Sequence, residues 1–265
     1  METFNLNKMK KLITTLALVL LVSAATFAQT YYTIVAYHKL QPGKTMDDAI
    51  AVEKQWLPLH EARKSAGIIS GWAMYVPYNN MKSVGVDCDY ITVNSGTDLD
   101  KLTTYPLELF AGLAKNDPGL KNLVATTAKT QTILRHSIGK RLTGTSNTWD
   151  RSHFFLFDLM KVSDGAAYEA FETKVQKVQE ERVAAGNISA WSLYQTIYPT
   201  SDDVLFNYST AQSFDKLSKL DQAMDSYYKA IPKALGISAE EFMKQATVKR
   251  TMTATMLTTV ALSTK

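Results

Sequence analysis

The stretch that indicates the fold reads Arg63-Lys-Ser-Ala-Gly67-Ile-Ile-Ser-Gly-Trp72-Ala-Met-Tyr75, and it recurs as Arg182-Val-Ala-Ala-Gly186-Asn-Ile-Ser-Ala-Trp191-Ser-Leu-Tyr194. The arginine, glycine, serine, tryptophan and tyrosine stay in register without a gap, at an offset of 119 residues. Similarity at one fixed spacing is typical of a repeated structural unit. The sequence therefore predicts two copies of one unit in tandem.

The similarity extends in both directions from this stretch. At the same offset Glu53 matches Glu172, and after a small deletion Asp100-Lys101-Leu102 matches Asp215-Lys216-Leu217. A polar segment, Gly144-Thr-Ser-Asn-Thr148, separates the copies. The predicted organisation is a first unit over residues 29–142, a linker over 143–152 and a second unit over 153–265.

Each half gives the same order of elements. An aromatic and β-branched strand is followed by a helix with one apolar stripe, whose last turn carries Arg63 or Arg182 and whose end is Gly67 or Gly186, where a left-handed cap is needed. Two more strands follow, and then a second helix near Asp98 or Phe214, a short extra helix at Asp117-Pro118 or Ser238-x-x-Glu241, and a last strand. The expected strands are Tyr31–Lys39, Ile68–Val76, Asp87–Asn94 and Thr130–Leu142, then Phe154–Lys161, Ile188–Ile197, Val204–Thr210 and Arg250–Leu262.

This β-α-β-β-α-β order is that of a ferredoxin-like unit, and the predicted fold class is α+β. Helices cover one face of such a sheet and leave the other face apolar, so each unit needs a partner sheet. We expect the two units to pack sheet to sheet as a pseudo-dimeric α/β barrel.

The tandem arrangement resembles the dimeric α/β-barrel superfamily. A helix ending in Arg-x-x-x-Gly before a strand with Gly-Trp or Ala-Trp is similar to its NIPSNAP, EthD and antibiotic-biosynthesis monooxygenase-like branches. The superfamily includes cofactor-free oxygenases, haem-degrading enzymes and haem-dependent peroxidases, so the resemblance implies haem as a cofactor to consider. Membership of a fold does not decide a function.

The N-terminal segment resembles a secretory signal peptide. Lys8, Lys10 and Lys11 precede the apolar run Leu12–Val22, and small residues end at Ala28. The alternative is an uncleaved membrane anchor, but the apolar run is short for a span. We expect cleavage after Ala28, no membrane anchor afterwards, and a periplasmic or secreted protein.

Charge and cysteine content exclude several classes of function. Without residues 1–28, which hold three lysines and one glutamate, the chain has 26 basic and 24 acidic residues, a balance that argues against nucleic acid as the partner. Cys88 is the sole cysteine of the sequence, so no intramolecular disulfide can form. No spacing of His or Cys suggests a metal site, and no glycine-rich loop suggests a phosphate site.

Two helical side chains are candidate catalytic groups. His60 shares a stripe with Glu53 that points toward the sheet, and Gln179 stands at the matching position of the second half. His60 is either a ligand-orienting or proton-moving group, or a partly exposed histidine stabilised by the helix end. Glu53 is either a general base with a raised pKa or the partner of a nearby Lys or Arg.

The remaining candidates lie on strands and on the first helix. His136 alternates with Leu134 and Ile138, and is either a core histidine or a pocket group that faces the barrel interior or the site; His38 and His153, at strand ends, carry less signal. Pro58 is expected to bend the first helix and open a pocket in that half alone. The expected ligand-binding residues, whose rings suit stacking on a planar molecule, are Trp56, His60, Trp72 and Tyr75.

Three functions remain open from the sequence. The first is an exported protein that binds a small apolar or aromatic molecule in a pocket between sheet and helices. The second is a cofactor-free oxygenase or haem-handling enzyme that uses His60 or His136. The third is a structural or interaction scaffold without a small ligand, for which a closed sheet-helix interface is expected.

Overall fold

The computed structural model describes residues 30–78, 87–145, 152–200, 205–245 and 250–262. Residues Tyr31–Lys265 form one compact unit. The predicted signal peptide, most of the predicted linker and the predicted strand start at Val204 lie outside the described residues. No helix of the described ranges is long and apolar enough to cross a membrane.

The first half contains four strands and five helices within the described ranges. The strands are β1 (Tyr31–Leu40), β2 (Gly71–Pro77), β3 (Tyr90–Gly96) and β4 (Gln131–Gly144). The helices are α1 (Met46–Ser65), α2 (Leu99–Thr103), α3 (Leu107–Asn116), α4 (Pro118–Lys121) and α5 (Leu123–Thr130).

The second half, as described, has four strands, three α-helices and a short 3-10 helix at Leu217–Lys219. The strands are β5 (Phe154–Val162), β6 (Ala190–Tyr198), β7 (Tyr208–Phe214) and β8 (Arg250–Leu262). The helices are α6 (Gly165–Ala184), α7 (Ala223–Leu235) and α8 (Ala239–Gln245).

All eight strands form one closed antiparallel barrel in the order β1-β3-β2-β8-β5-β7-β6-β4. The strands of the two halves join where β2 pairs with β8 and where β4 pairs with β6. The mixed α+β class and the curled antiparallel sheet agree with the predicted fold class. Because alternate residues of a strand point to opposite faces, each strand contributes one set of side chains to the barrel interior and another to the helices outside.

The two long helices end as the repeated stretch predicts. Gly67 and Gly186 adopt left-handed conformations with φ of 65° and 71°, which glycine reaches without a steric penalty. The amide of the residue after each glycine then donates to the carbonyl of Arg63 or Arg182, at 2.9 Å in both halves. The glycines therefore turn the chain from helix to strand in the same way in both halves.

The second helix of each half differs from the prediction. Asp98 does cap a helix, accepting from the Lys101 amide at 3.1 Å, but that helix ends at Thr103 and a separate helix follows Pro106, whose ring cannot continue a helical hydrogen-bond ladder. In the second half Phe214 is the last residue of β7, and the long helix starts only at Ala223. Both short helices begin as predicted, at Asp117 and Ser238.

Candidate functional site

A cavity of about 500 Å³ lies between α1 and the sheet of the first half. Helix α1 contributes one wall, strands β1, β3 and β4 contribute the floor, and residues 103–106 lie at its edge. Glu53, Trp56, His60, Trp72 and His136 all line it. The structure thus brings together five of the six residues proposed from the sequence for this site.

His60 lines the cavity and stacks face to face on Trp72. The ring centroids are 4.4 Å apart and the planes differ by 12°. The side chain is only 8% exposed, so the expectation of a partly exposed histidine at the helix end is wrong. Burial, with a smaller effect of the Arg63 charge, lowers the pKa of His60 to about 3, which keeps the imidazole neutral at physiological pH.

Arg63 is three residues after His60, on the same face of α1, and points inward. Its Nη1 donates to Asn94 Oδ1 at 2.8 Å and to His60 Nδ1 at 3.4 Å. Burial lowers the pKa of this guanidinium, yet arginine stays charged in proteins. Arg63, which was expected to face the end of the helix, is therefore buried between α1 and the sheet.

Glu53 is 4% exposed and accepts hydrogen bonds at one oxygen, Oε1. The donors are the Tyr90 hydroxyl at 2.8 Å and Gln131 Nε2 at 3.3 Å. Burial raises the pKa of Glu53 to about 7, although the Tyr90 hydrogen bond opposes this rise. An ion pair with Lys or Arg was one expectation for Glu53, and it is wrong within the described residues, where no cation lies within ion-pair distance of this carboxylate.

A chain of buried polar groups continues from Glu53. His38 Nδ1 donates to Gln131 Oε1, and the Thr92 hydroxyl donates to His38 Nε2 at 2.9 Å. The His38 ring stacks on Tyr90 with centroids 4.4 Å apart. Burial lowers the pKa of His38 to about 4. Sequence reasoning gave His38 little weight, and its partner Gln131 is 93 residues away, so no local pattern could have paired them.

The other candidates occupy different surroundings. Trp56 donates its Nε1 to Thr127 Oγ1 at 3.0 Å and packs on Phe110, which fixes its ring between α1, α3 and α5. His136 lies at the cavity wall but is exposed, so the expectation of a core histidine is wrong. Helix α1 continues through Pro58, which lies on its exposed side.

Tyr75 does not line this cavity, which corrects the prediction. It is three residues from Trp72 along β2, an odd spacing that turns the two rings to opposite faces of the strand. Tyr75 instead contacts Phe155 edge to face at 5.0 Å inside the barrel. There it borders a second, smaller cavity of about 180 Å³, which is lined mainly by aromatic and aliphatic side chains of the strands.

The matching positions in the second half are filled. Phe171, Val175 and Val178 of α6 are buried, and Phe242 of α8 stacks on Phe171 at 5.2 Å. Gln179 stands in place of His60 and accepts from Arg182 Nη1 at 2.7 Å. Arg182 also donates to Gln212, which pairs with Trp191 in the register where Asn94 pairs with Trp72. The two arginines thus occupy equivalent positions, one beside a cavity and one in a packed core.

Comparison with protein-family models and with curated protein sequences gives no match. Among solved structures, the chain is similar to a candidate monooxygenase from Fusobacterium nucleatum, with a TM-score of 0.56 and 8% identity over 89% of this chain and 95% of the other. A candidate chlorite dismutase (TM-score 0.48, 13% identity, 88% and 95% covered) and a heme-binding protein from Thermus thermophilus (0.46, 12%, 88% and 93%) are also similar. At these identities the likeness concerns the fold alone, which is ferredoxin-like.

Haem is the cofactor implied by the resemblance found in the sequence, and haem iron needs an axial ligand from the protein. A ligating histidine usually donates its other N–H to an acceptor, whereas His60 Nδ1 receives an N–H from Arg63, which places the proton of the neutral ring on Nε2. Both nitrogens of His38 are hydrogen-bonded, and the His136 imidazole has no hydrogen bond within the described residues. His60 and His38 therefore do not fit the role of axial ligand. Nor do the described residues hold a group of three or more His, Cys, Asp or Glu suited to a metal ion.

Proposed function

We propose that the chain is an exported protein that binds one small, planar, largely apolar molecule in the cavity between α1 and its sheet. The observation that carries this proposal is the difference between the halves. Where the second half has a packed core of Phe171, Val175 and Phe242, the first half has a cavity of about 500 Å³.

The lining of the cavity supports a planar ligand. Ligand sites of 300–1,000 Å³ commonly combine aromatic walls with a few polar groups that fix orientation. Here Trp56, Trp72 and the neutral His60 supply flat surfaces, and Arg63 and Glu53 supply the polar groups. A scaffold without a small ligand needs no such opening, so the cavity favours binding over that alternative.

Titration with a neutral two-ring probe, 2-naphthamide, tests this proposal. We expect saturable quenching of tryptophan fluorescence, because Trp56 and Trp72 border the cavity. The same protein purified from its native host should be examined by absorbance and mass spectrometry for a bound small molecule. Absence of saturable binding together with absence of any copurified molecule would contradict the proposal.

A cofactor-free enzyme is a second candidate, and one observation favours it. Glu53 has a pKa near 7, and its hydrogen bonds engage Oε1 alone, so Oε2 remains to accept a proton from a molecule in the cavity. Glu53→Gln should then abolish turnover of a substrate while preserving its binding. Loss of binding and turnover in equal measure would argue for a positioning role instead.

Two further proposals concern the whole chain. We propose that the halves are tandem copies of one unit, supported by the equivalent bonding of Arg63 to Asn94 and of Arg182 to Gln212. We also propose that the chain reaches the periplasm or the outside of the cell, on the strength of the order of basic, apolar and small residues over 8–28.

A further inference from the structure

The two equivalent arginines differ in how completely their hydrogen bonds are satisfied. Arg182 donates from every guanidinium nitrogen: Nε to Ser226 at 3.2 Å, Nη1 to Gln179 and Gln212, and Nη2 to the carbonyl of Ala223 at 3.1 Å. Arg63 donates from Nη1 alone, and its buried Nε has no partner within the described residues. Helix α7 supplies the missing acceptors in the second half. Arg63 instead lines the cavity of the first half.

The charge of Arg63 is also unbalanced. Arg63 is 8% exposed, and no carboxylate of the described residues pairs with it. A buried cation is strongly destabilising unless a counter-charge or a full set of hydrogen bonds accompanies it. Its hydrogen-bonded neighbours, His60 and Asn94, are neutral acceptors.

A guanidinium matches a carboxylate in shape, because two parallel N–H groups can donate to its two oxygens. The surroundings favour an organic anion over a bare inorganic one, since the aromatic side chains of Trp56, Trp72 and His60 line the same cavity as Arg63. We propose that the molecule bound in this cavity is an aromatic carboxylate whose anionic group is held by Arg63. This inference rests on the proposed function and adds the chemical class of the ligand.

Two probes of the same shape and different charge test the inference. The affinities of 2-naphthoate and of neutral 2-naphthamide are measured by calorimetry for the unaltered chain and for Arg63→Gln. We expect 2-naphthoate to bind at least about tenfold more tightly than 2-naphthamide, a ratio that a single charge-assisted hydrogen bond can supply. Arg63→Gln should remove this ratio while leaving the binding of 2-naphthamide within about twofold.

Matched variants separate charge from folding. Lys64→Gln removes one positive charge from the neighbouring position, which does not line the cavity, and should leave the ratio unchanged. Arg63→Lys keeps the charge without the planar fork and should give an intermediate ratio. If Arg63→Gln fails to fold, the ratio of the two affinities in the unaltered chain and in Arg63→Lys still tests whether Arg63 holds the anion.

The outcomes distinguish the two proposals. Equal affinities of the two probes in the unaltered chain would overturn the carboxylate inference and leave the pocket in place. Binding of neither probe would contradict the proposed function itself. A preference for 2-naphthoate that survives in Arg63→Gln would also overturn the inference, because the anion would then be held elsewhere.

Discussion

Tyr90 donates its hydroxyl hydrogen to Glu53 Oε1 at 2.8 Å, and this bond joins β3 to α1 in the interior of the first half. Among the described residues, no cation lies within ion-pair distance of this carboxylate. A buried acid in such a place resists ionisation, and the stability of the fold should therefore depend on pH in a way that one substitution can remove.

Glu53→Gln should reduce the decrease in the free energy of unfolding that the unaltered chain shows as pH rises. The pKa of Glu53 is about 7 in the folded chain against an ordinary 4.5, so between these values the unfolded chain has lost the proton that the folded chain keeps. The free energy of unfolding therefore decreases as pH rises through this window, on the order of 1–3 kcal/mol in total. Denaturant unfolding at pH 4.5, 6 and 8 measures it. Glu108→Gln, on an exposed position of α3, is the control, and an unchanged pH profile in Glu53→Gln would refute the prediction.

His60→Gln should make the chain less sensitive to acid. Burial holds the pKa of His60 at about 3 against an ordinary 6.5, so the unfolded chain gains a proton below pH 6.5 that the folded chain does not accept. The unaltered chain therefore loses stability as pH falls below 6.5, and His60→Gln should lose less, because glutamine does not titrate in this range. Glutamine also suits this position, since Gln179 accepts from Arg182 at the equivalent place. Gln179→His should show the opposite change. Parallel acid profiles for all three chains would contradict this.

Trp56→Phe should destabilise the chain by about 1 kcal/mol, which is typical of one lost hydrogen bond. The indole Nε1 donates to Thr127 Oγ1 at 3.0 Å, whereas the phenyl ring keeps the contact with Phe110 but has no donor. Thr127→Val removes the acceptor. Thermal unfolding of both variants and of the double variant checks the pairing, since the two losses should not add. Additive losses would mean that the bond does not contribute.

His60→Ala should weaken the binding of 2-naphthamide, because it removes one flat ring from the wall of the cavity. Gln179→Ala, at the matching position of the packed half, should leave binding within about twofold, as expected for a distant independent site. Fluorescence titration of both variants provides the comparison. Equal losses in the two variants would show that the difference between the halves has no part in binding.

Intact-mass analysis should find that exported material begins at Gln29. The expectation follows from the basic residues, the apolar run and the small residues that precede this position. Expression in a bacterial host, followed by separate analysis of periplasmic and membrane fractions, supplies the measurement. Full-length chain in the membrane fraction would identify the segment as an anchor.

Local signals in the sequence predicted the two long helices, the order of the strands and most of the candidate site residues. The stripe that carries Glu53 and His60 has the spacing of one helix face, and Gly67 marks the end of that helix, so both follow from residues close in the chain. The prediction for Tyr75 was wrong because Tyr75 and Trp72 are three residues apart on a strand, and residues at an odd spacing on a strand point to opposite faces.

Other parts of the site depend on contacts that no local pattern carries. His38 meets Gln131 only because β1 and β4 pair, and the hydrogen bond between them spans 93 residues. Two of the acceptors of Arg182 come from Ser226 and Ala223, on a helix whose start at Ala223 was not predicted. The contrast with Arg63 could therefore be seen only in three dimensions.

The pairing of β2 with β8 joins strands that are far apart in the sequence, with Ala73 opposite Leu262. During synthesis the remaining edges of β2 and β5 stay open until residues 250–262 have been made. Loop closure over such a distance makes folding slow, and a nascent or truncated chain presents open strand edges that invite pairing with other chains. Removal of residues 250–262 would thus expose two edges at once, one in each half, and turn a closed barrel into an aggregation-prone sheet.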